Sequence, residues 1–330
     1  MTLAGFGRFF APLALAIAAI VPAHANNSGL EAQFDSVIGD ATTPRDFTAT
    51  YDTALERQVA QLTADARGRI GVAAIDLTTG KQVSVLGNQR FPLASTSKIA
   101  IAATFLEGVD QGRWSLDSKF PMMLSPTREG KLLSGRDLIE LAITRSNNEA
   151  ADGLLRAVGG PNAVNDWVHR AGIREFSINR DIWTLVQQDG AVDPATNVEM
   201  RDSATPLAMV NLVKGLYDGR WLTQSSRSVL LGAMSRCKTG PQRIPGQMPT
   251  GVMVAHKTGT LYNTSSDVGI VTGPDGHAIA LAIYVTGGRS DHKYRFEKIS
   301  TIARAVYDGY QAQPAQVWAS ASYDKVASAP

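Results

Sequence analysis

Cysteine is almost absent from this chain of 330 residues, which has Cys237 as its single thiol. An intramolecular disulfide is therefore excluded, so the folded state must rest on a hydrophobic core. Apolar residues make up 44% of the sequence and charged residues 19%, a balance typical of a globular protein that can fill such a core. No family signature of a nucleophilic cysteine surrounds Cys237, and we expect it to be a structural thiol.

An excess of charge of either sign is missing as well, because 32 Lys and Arg residues balance 30 Asp and Glu residues. A net charge of +2 without any Lys/Arg run gives no support for nucleic-acid binding. The five histidines lack metal-ligand spacing, and we expect neither a metal nor another cofactor. The absence of a G-x-S-x-G elbow and of a phosphate-binding glycine motif disfavours an α/β-hydrolase and a nucleotide-binding enzyme.

An apolar stretch occurs at the N-terminus, where residues 9–21 follow a single positive charge at Arg8. The small-x-small sequence at residues 23–25 completes the pattern of a signal peptide over residues 1–25. A membrane anchor is the alternative, but the stretch is short and Pro12 interrupts it. We therefore expect a secreted protein, periplasmic if the cell is Gram-negative, with no stable membrane span after cleavage.

The two ends of the mature chain differ from its centre in composition. Residues 26–44 are predicted to be a flexible leader, and residues 311–330, rich in Ala, Ser and Pro, a disordered tail. Apolar residues at helical spacing predict an amphipathic helix over residues 51–66. Two strand patterns, at residues 70–77 and 82–86 on either side of the turn Thr78-Thr79-Gly80, then predict a hairpin.

The centre of the chain has a helical pattern from residue 95 to residue 234, and a last helix is predicted at residues 295–310. Strand patterns return at residues 251–255, 267–272 and 278–285. We therefore predict an α/β fold, in which an antiparallel sheet flanked by terminal helices (residues 45–90 with 235–310) carries an inserted all-helical lobe (residues 91–234). The cleft between the two is the expected active site.

The first of three short motifs is Ser95-Thr96-Ser97-Lys98, at the start of an apolar helix. Positions i and i+3 of a helix share a face, so Ser95 and Lys98 are expected to point into the same space. A serine hydroxyl needs a base to become a nucleophile, and a lysine kept out of water has a lowered pKa that suits this task. The backbone N–H of Ser95 at the helix start can hold an oxyanion.

The second motif is Ser146-Asn147-Asn148, after a helical run, and the third is Lys257-Thr258-Gly259-Thr260, at the end of a predicted strand. The third motif places a cation and hydroxyl groups along one strand edge. Gly259 lets a flat substrate lie close to the backbone, and Thr260 offers a second N–H to an oxyanion. Each motif alone is weak, whereas all three in this order indicate a serine acyl-transfer enzyme.

In these motifs, and over nearly the whole mature chain, the sequence resembles the class A β-lactamases and their penicillin-binding relatives, in which S-x-x-K, S-D-N and K-T-G recur. The likeness includes the run at residues 201–206 before a helix. The resemblance implies a nucleophile at Ser95, proton handling by Lys98 and Ser146, amide recognition by Asn148, and carboxylate binding by Lys257, Thr258 and Thr260.

A second K-T-G sequence, Lys238-Thr239-Gly240, lacks a preceding strand pattern, and we prefer the copy at Lys257. Asn147 stands where the family usually has an acid that is thought to brace the loop, so its replacement is expected to affect rigidity more than chemistry. The interval from Ser95 to Ser146 is also shorter than expected, which predicts a trimmed loop at one rim of the cleft.

The largest departure concerns the loop glutamate that activates the deacylating water in class A β-lactamases. Taking Arg180 and Asp202 as the ion pair at the loop neck, a forward count places the glutamate position at Ile182 and a backward count near Asp189. The two counts disagree, and neither finds a glutamate. The loop carboxylates that remain as candidates, or as ordinary loop residues, are Asp181, Asp189 and Asp193.

Three functions remain open at this point. The first is a β-lactamase that acts as a monomer on a small β-lactam substrate. The second is a D-alanyl-D-alanine peptidase or transpeptidase, which shares the acylation step and is favoured by the missing glutamate. The third is a non-catalytic module that binds β-lactams or peptidoglycan.

Overall fold

The protein is described by a computed structural model that covers residues 53–64 and 66–323, with side chains up to residue 312. The predicted signal peptide (1–25), the predicted leader (26–44) and residues 324–330 of the predicted tail lie outside the described residues. Within the described part, no helix is both long enough and apolar enough to cross a membrane.

Ten β-strands occur in the described residues. Their bounds are β1 (Ile70–Asp76), β2 (Gln82–Val85), β3 (Phe91–Pro92), β4 (Lys119–Ser125), β5 (Arg128–Ser134), β6 (Phe176–Ser177), β7 (Ser203–Ala204), β8 (Met253–Leu261), β9 (Thr264–Thr272) and β10 (Ala278–Thr286). The largest sheet is antiparallel with the order β2-β1-β10-β9-β8, so strands from both ends of the folded region meet. The predicted hairpin and the three predicted later strands are confirmed.

Nine α-helices occur in the same residues. Their bounds are α1 (Ala54–Thr63), α2 (Lys98–Asp110), α3 (Gly135–Thr144), α4 (Asn148–Val158), α5 (Pro161–Arg170), α6 (Ile182–Gln187), α7 (Pro206–Tyr217), α8 (Gln224–Ser235) and α9 (His292–Tyr323). Helix α1 begins with a capping box, because the Thr53 hydroxyl accepts from the Glu56 N–H and the Glu56 carboxylate accepts from the Thr53 N–H.

Successive side chains of a strand point to opposite faces of the sheet, and both faces of this sheet are covered. Val72 and Ala74 of β1 belong to a hydrophobic cluster with residues of α1 and α9. Ala73 and Ile75 belong to a larger cluster with residues of α2–α5, α7 and α8. The fold is therefore an antiparallel sheet with the terminal helices on one face and the inserted helices on the other, as predicted.

Three details differ from the sequence-based expectation. The inserted segment is not all-helical, because β4 and β5 form a hairpin inside it, with Phe120 paired to Leu133. Strand β8 runs through residues 257–260 instead of ending before them, since these residues pair with β9. Helix α9 continues to Tyr323 beyond the predicted end at residue 310, into a stretch whose alanines have high helix propensity.

Candidate active site

Ser95 lies on a short 3₁₀ turn, Ala94–Ser97, that leads directly into α2. Hydroxyl groups fix this turn, because Thr96 Oγ1 donates to Leu93 O at 2.6 Å and Ser97 Oγ donates to Ala94 O at 2.8 Å. Ala94 has φ +46°, a left-handed conformation that a residue with a Cβ rarely adopts. The strained backbone next to a half-buried Ser95 is consistent with a functional position.

Lys98, the first residue of α2, is 1% exposed. Its Nζ donates to Ser146 O at 2.7 Å and to Asn148 Oδ1 at 2.7 Å, and lies 3.4 Å from Ser146 Oγ. All three acceptors are neutral. Burial and the charge of Lys257 hold the pKa of Lys98 well below its ordinary value, against the opposite effects of Asp152 and Glu149.

The second motif forms the junction between α3 and α4. Ser146 has φ +56°, and its neighbour Asn147 caps α4 by accepting the Ala150 N–H at 2.7 Å. The cap explains how an amide replaces an acid at position 147, because Asn and Asp are about equally good N-cap residues. Asn148 then begins α4 with its side chain on Lys98.

The third motif brings β8 to the same place. The Nζ of Lys257, which has no exposed surface, donates to Ser146 Oγ at 2.9 Å. A Cβ built on Gly259 would lie 2.9 Å from Leu93 O and 3.1 Å from Ala94 Cβ, so β8 passes directly beside the turn that holds Ser95. Burial lowers the pKa of Lys257 to about 8. The three motifs therefore converge on one site.

Comparison with known protein families agrees with the class of enzyme that the three motifs indicate. The sequence profile of the β-lactamase enzyme family matches residues 54–310. The chain belongs to the β-lactamase enzyme family. Among its relatives, β-lactamase OXY-1 of Klebsiella oxytoca is 30% identical over 267 residues, which are 78% of this chain and 89% of that protein. A β-lactamase of Proteus vulgaris is 30% identical over 258 residues, 75% of this chain and 83% of the relative.

Solved structures of this family share the fold. A β-lactamase from Chitinophaga pinensis superposes with a TM-score of 0.71 and 30% identity, covering 78% of this chain and all of that one. A reconstructed ancestral class A β-lactamase of Gram-negative bacteria gives a TM-score of 0.71 and 32% identity, covering 77% of this chain and 99% of the ancestral one. The class A resemblance of the motifs is thereby confirmed.

The two K-T-G copies lie side by side in this family member. Thr239 Oγ1 of the first copy and Thr258 Oγ1 of the second are 2.6 Å apart. Lys238 is exposed and its backbone N–H donates to Thr144 O, whereas Lys257 is buried against Ser146. The first copy therefore supports the second without placing a cation at the site.

Arg243 is a site residue that sequence reasoning missed, because no motif marks it. Its guanidinium donates to Gly259 O and Ser266 O, each at 2.7 Å, and to Thr260 Oγ1 at 2.6 Å. The residue is 5% exposed, and burial lowers its pKa. A third cation thus lies under the outer end of β8, next to the hydroxyl expected to contact a substrate carboxylate.

Cys237, which the sequence predicts to be a structural thiol, has a base close by. His256, 3% exposed, has its Nδ1 2.8 Å from Asp267 Oδ1, and despite burial this carboxylate raises the pKa of His256 to about 10. Burial raises the pKa of Cys237, but hydrogen bonding with His256 and Thr239 outweighs it and brings the pKa to about 7. None of the His, Cys, Asp or Glu residues among those described forms a group suited to a metal ion.

The loop at residues 178–202 borders the site and is closed at its neck as expected. Arg180 Nε donates to Asp202 Oδ2 at 2.6 Å, and Asp202 Oδ1 accepts the N–H groups of Asn179 and Arg180 at 2.7 and 3.1 Å. Just beyond the neck, β7 pairs with β3, the strand that precedes Ser95. The loop is thereby tied to the nucleophile segment.

The candidate carboxylates of the loop are all held in structural hydrogen bonds. Asp181 caps α6 through the Thr184 N–H at 2.7 Å. Asp189 accepts the Tyr262 N–H at 2.9 Å, and Asp193 accepts from Asn263 Nδ2 at 2.7 Å. Ile182, at the position found by the forward count, is 5% exposed and purely aliphatic.

Asp152 is a second residue that sequence reasoning missed. It lies on α4, is 5% exposed, and accepts the backbone N–H groups of Ile182 and Trp183 at 2.7 and 2.9 Å. Its spacing of four residues from Asn148 places both side chains on one helix face. In the sequence, the signal that marks Asp152 is a carboxylate among the apolar positions of an amphipathic helix.

Proposed function

We propose that the chain is a serine β-lactamase, which opens the cyclic amide of a β-lactam through an acyl-enzyme on Ser95. The observation that carries the proposal is the meeting of Lys98, Ser146 and Lys257, from three distant parts of the chain, beside the turn that holds Ser95. Membership of the β-lactamase enzyme family supports the same reaction. The site is taken to lie between the sheet domain (residues 45–90 with 235–310) and the helical domain (residues 91–234).

In the acylation step, the Ser95 hydroxyl attacks the β-lactam carbonyl carbon while neutral Lys98 accepts its proton. The carbonyl–nitrogen bond breaks, and Ser146 gives a proton to the departing nitrogen and regains one from Lys98. The 3.4 Å separation of Lys98 Nζ and Ser146 Oγ supports this transfer. The lowered pKa of Lys98 supports its role as a base at neutral pH.

Recognition of the substrate is assigned to the polar groups around the acylation site. Lys257, Thr258 and Thr260 bind the substrate carboxylate, and Arg243 adds positive charge through its bond to the Thr260 hydroxyl. Asn148 bonds the amide of the substrate side chain, and Gly259 lets the β-lactam ring lie close to β8. The backbone N–H groups of Ser95 and Thr260 stabilise the oxyanion.

In the second half of the reaction, water adds to the Ser95 ester, and the acid product leaves with the hydroxyl of Ser95 restored. One observation favours a second candidate, a penicillin-binding enzyme of the D-alanyl-D-alanine peptidase or transpeptidase type with slow deacylation. Ile182, where the forward count places the family's glutamate, has no group that can activate water, and the backward count, near Asp189, finds no glutamate either. The acylation chemistry is the same in both candidates.

Intact-mass spectrometry with benzylpenicillin, followed over time, tests the proposal. We expect an adduct of one penicillin on the native chain that disappears as penicilloic acid accumulates, and none on the Ser95→Ala variant. Hydrolysis of a chromogenic cephalosporin should stop in the same variant. An adduct that persists for hours supports the second candidate, and a folded native chain that forms no adduct refutes both.

The N-terminal pattern completes the proposal for where this enzyme acts. A signal peptide over residues 1–25 implies export, to the periplasm in a Gram-negative cell, where β-lactams would be met before they reach their targets. We propose that the mature enzyme acts there as a monomer and gives antibiotic resistance through β-lactam catabolism.

A further inference from the structure

Asp152 is the feature that the proposed mechanism leaves unused. Its carboxylate is almost fully buried, and each of its oxygens accepts a backbone N–H from the first two residues of α6. Helix α6 begins at Ile182, where the forward count from Arg180 places the family's glutamate. Asp152 therefore attaches the start of α6 to α4, the helix that begins with Asn148.

The same carboxylate also acts on Lys98. Asn148 and Asp152 are four residues apart on α4, and Asn148 Oδ1 accepts from Lys98 Nζ at 2.7 Å. Each of the two groups favours the charged form of the other. Asp152 raises the pKa of Lys98, and Lys98 lowers the pKa of Asp152. Lys98 Nζ itself bonds only neutral oxygens among the described residues.

We propose that Asp152 is a positioning residue for the acylation step, whose carboxylate holds α6 against α4 and at the same time governs how readily Lys98 releases its proton. This inference rests on the proposed function, in which Lys98 is the base. With an aliphatic residue at position 182, the balancing negative charge for Lys98 comes from α4 and not from the loop.

The charged groups around Asp152 and Lys98 determine the sign of the effect. Burial raises the pKa of Asp152 to about 6, Asp181 adds to the rise, and the two N–H donors and Lys98 oppose it. Lys257 lowers the pKa of Lys98, and Glu149 raises it. Asp152 and Asp181 also line a cavity of about 250 Å³ together with Arg156. The charge of Arg156 is paired with Glu129 of β5, at 3.0 Å. Above pH 6 Asp152 is therefore an anion that favours protonated Lys98.

The test is the pH dependence of acylation by a fluorescent penicillin, measured from pH 5 to pH 9 in the full mature chain. Asp152→Asn keeps the shape of the side chain and one acceptor but removes the charge. Lys98 then loses its proton more readily, so the acid limb of the profile should move to lower pH by about half a unit to one unit. The plateau rate should fall as well, because one N–H of α6 loses its acceptor.

Asp181→Asn is the matched control, because Asp181 lies in the same cavity and also bonds the backbone of α6. This variant removes the charge but keeps the N-cap of α6, because Asn and Asp cap a helix about equally well, so it should leave the acid limb in place. The inference is overturned if Asp152→Asn leaves the limb in place, or if Asp181→Asn shifts it equally. Either result would make Asp152 a purely structural anchor.

A second measurement separates this inference from the proposed function. Hydrogen exchange of one of the two amides, Ile182 or Trp183, should be at least tenfold faster in Asp152→Asn than in the native chain, whether or not penicillin reacts. If the native chain forms no adduct, the proposed function fails and the acylation role with it, while the exchange result still reports the anchoring. If acylation proceeds but exchange is unchanged, the inference alone fails.

Discussion

The ion pair at the loop neck allows a stability prediction with an internal control. Asp202 is 3% exposed and Arg180 13%, and the Asp202 carboxylate accepts three N–H donors, two of them from the backbone. The substitution Asp202→Asn can retain Oδ1 as the acceptor for those backbone groups. It removes the negative charge opposite the Arg180 guanidinium and leaves that cation largely buried.

The magnitude follows from burial. Removing one partner of a buried ion pair costs about 3–5 kcal/mol, mainly because the remaining charge is uncompensated. Arg180 keeps one other bond, from Nη1 to Gln188 Oε1 at 2.8 Å, which favours the lower end of this range. We expect the free energy of unfolding to fall by about 3 kcal/mol, which lowers the melting temperature by roughly 5–10 °C for a domain of this size.

Glu199→Gln in the same loop is the control. Glu199 and Arg201 are 2.9 Å apart, a distance similar to that of the neck pair, but their side chains are 21% and 54% exposed. Because Arg201 is more than half exposed, water screens this pair and its contribution is expected to be about 0–1 kcal/mol, so the variant should unfold close to the native chain. Urea unfolding of the native chain, Asp202→Asn and Glu199→Gln measures the three free energies of unfolding that test this prediction. Equal losses in both variants would refute the reasoning from burial.

Three further predictions concern the site. Lys257→Ala should raise KM for penicillins by at least tenfold, because charged hydrogen bonds contribute about 1.5–3 kcal/mol, whereas Lys238→Ala should leave steady-state kinetics unchanged. Gly259→Ala should lower both stability and acylation rate in thermal and fluorescent-penicillin assays, since a Cβ there would lie 2.4 Å from the Ser266 hydroxyl oxygen. Cys237, with a pKa of about 7, should be half-maximally reactive toward iodoacetamide near pH 7 by mass spectrometry, and unchanged reactivity after His256→Asn would contradict the pairing.

Much of the fold could be predicted from periodicity and turn chemistry. Strands β1 and β10 and helix α2 give strong signals, because elements that are buried along nearly their whole length are apolar almost throughout. The hairpin of β4 and β5 was missed because it is irregular. Its register shifts between Pro121 and Ser125, and most of its side chains are only partly buried.

Only the site residues that belong to short local motifs could be predicted from the sequence. Lys98, Ser146 and Lys257 are recognisable because short spacings fix their place on a helix or strand. Arg243 and Asp152 are not, since their roles depend on contacts with residues 16 and 30 positions away, to Gly259 and Ile182. A single sequence contains no measure of such contacts.

The placement of charge gives the site its chemical character. Lys98, Lys257 and Arg243 are all at most 5% exposed, and their side-chain donors bond hydroxyl, carbonyl and amide oxygens. Burying a cation without an anion in contact is unfavourable, so this arrangement lowers the stability of the fold. Because no carboxylate contacts Lys98 among the described residues, its pKa stays low, and the positive charge of the site remains available to a bound carboxylate. A tight carboxylate partner for Lys98 would stabilise the protein and would also keep the lysine protonated, which is incompatible with its use as a base.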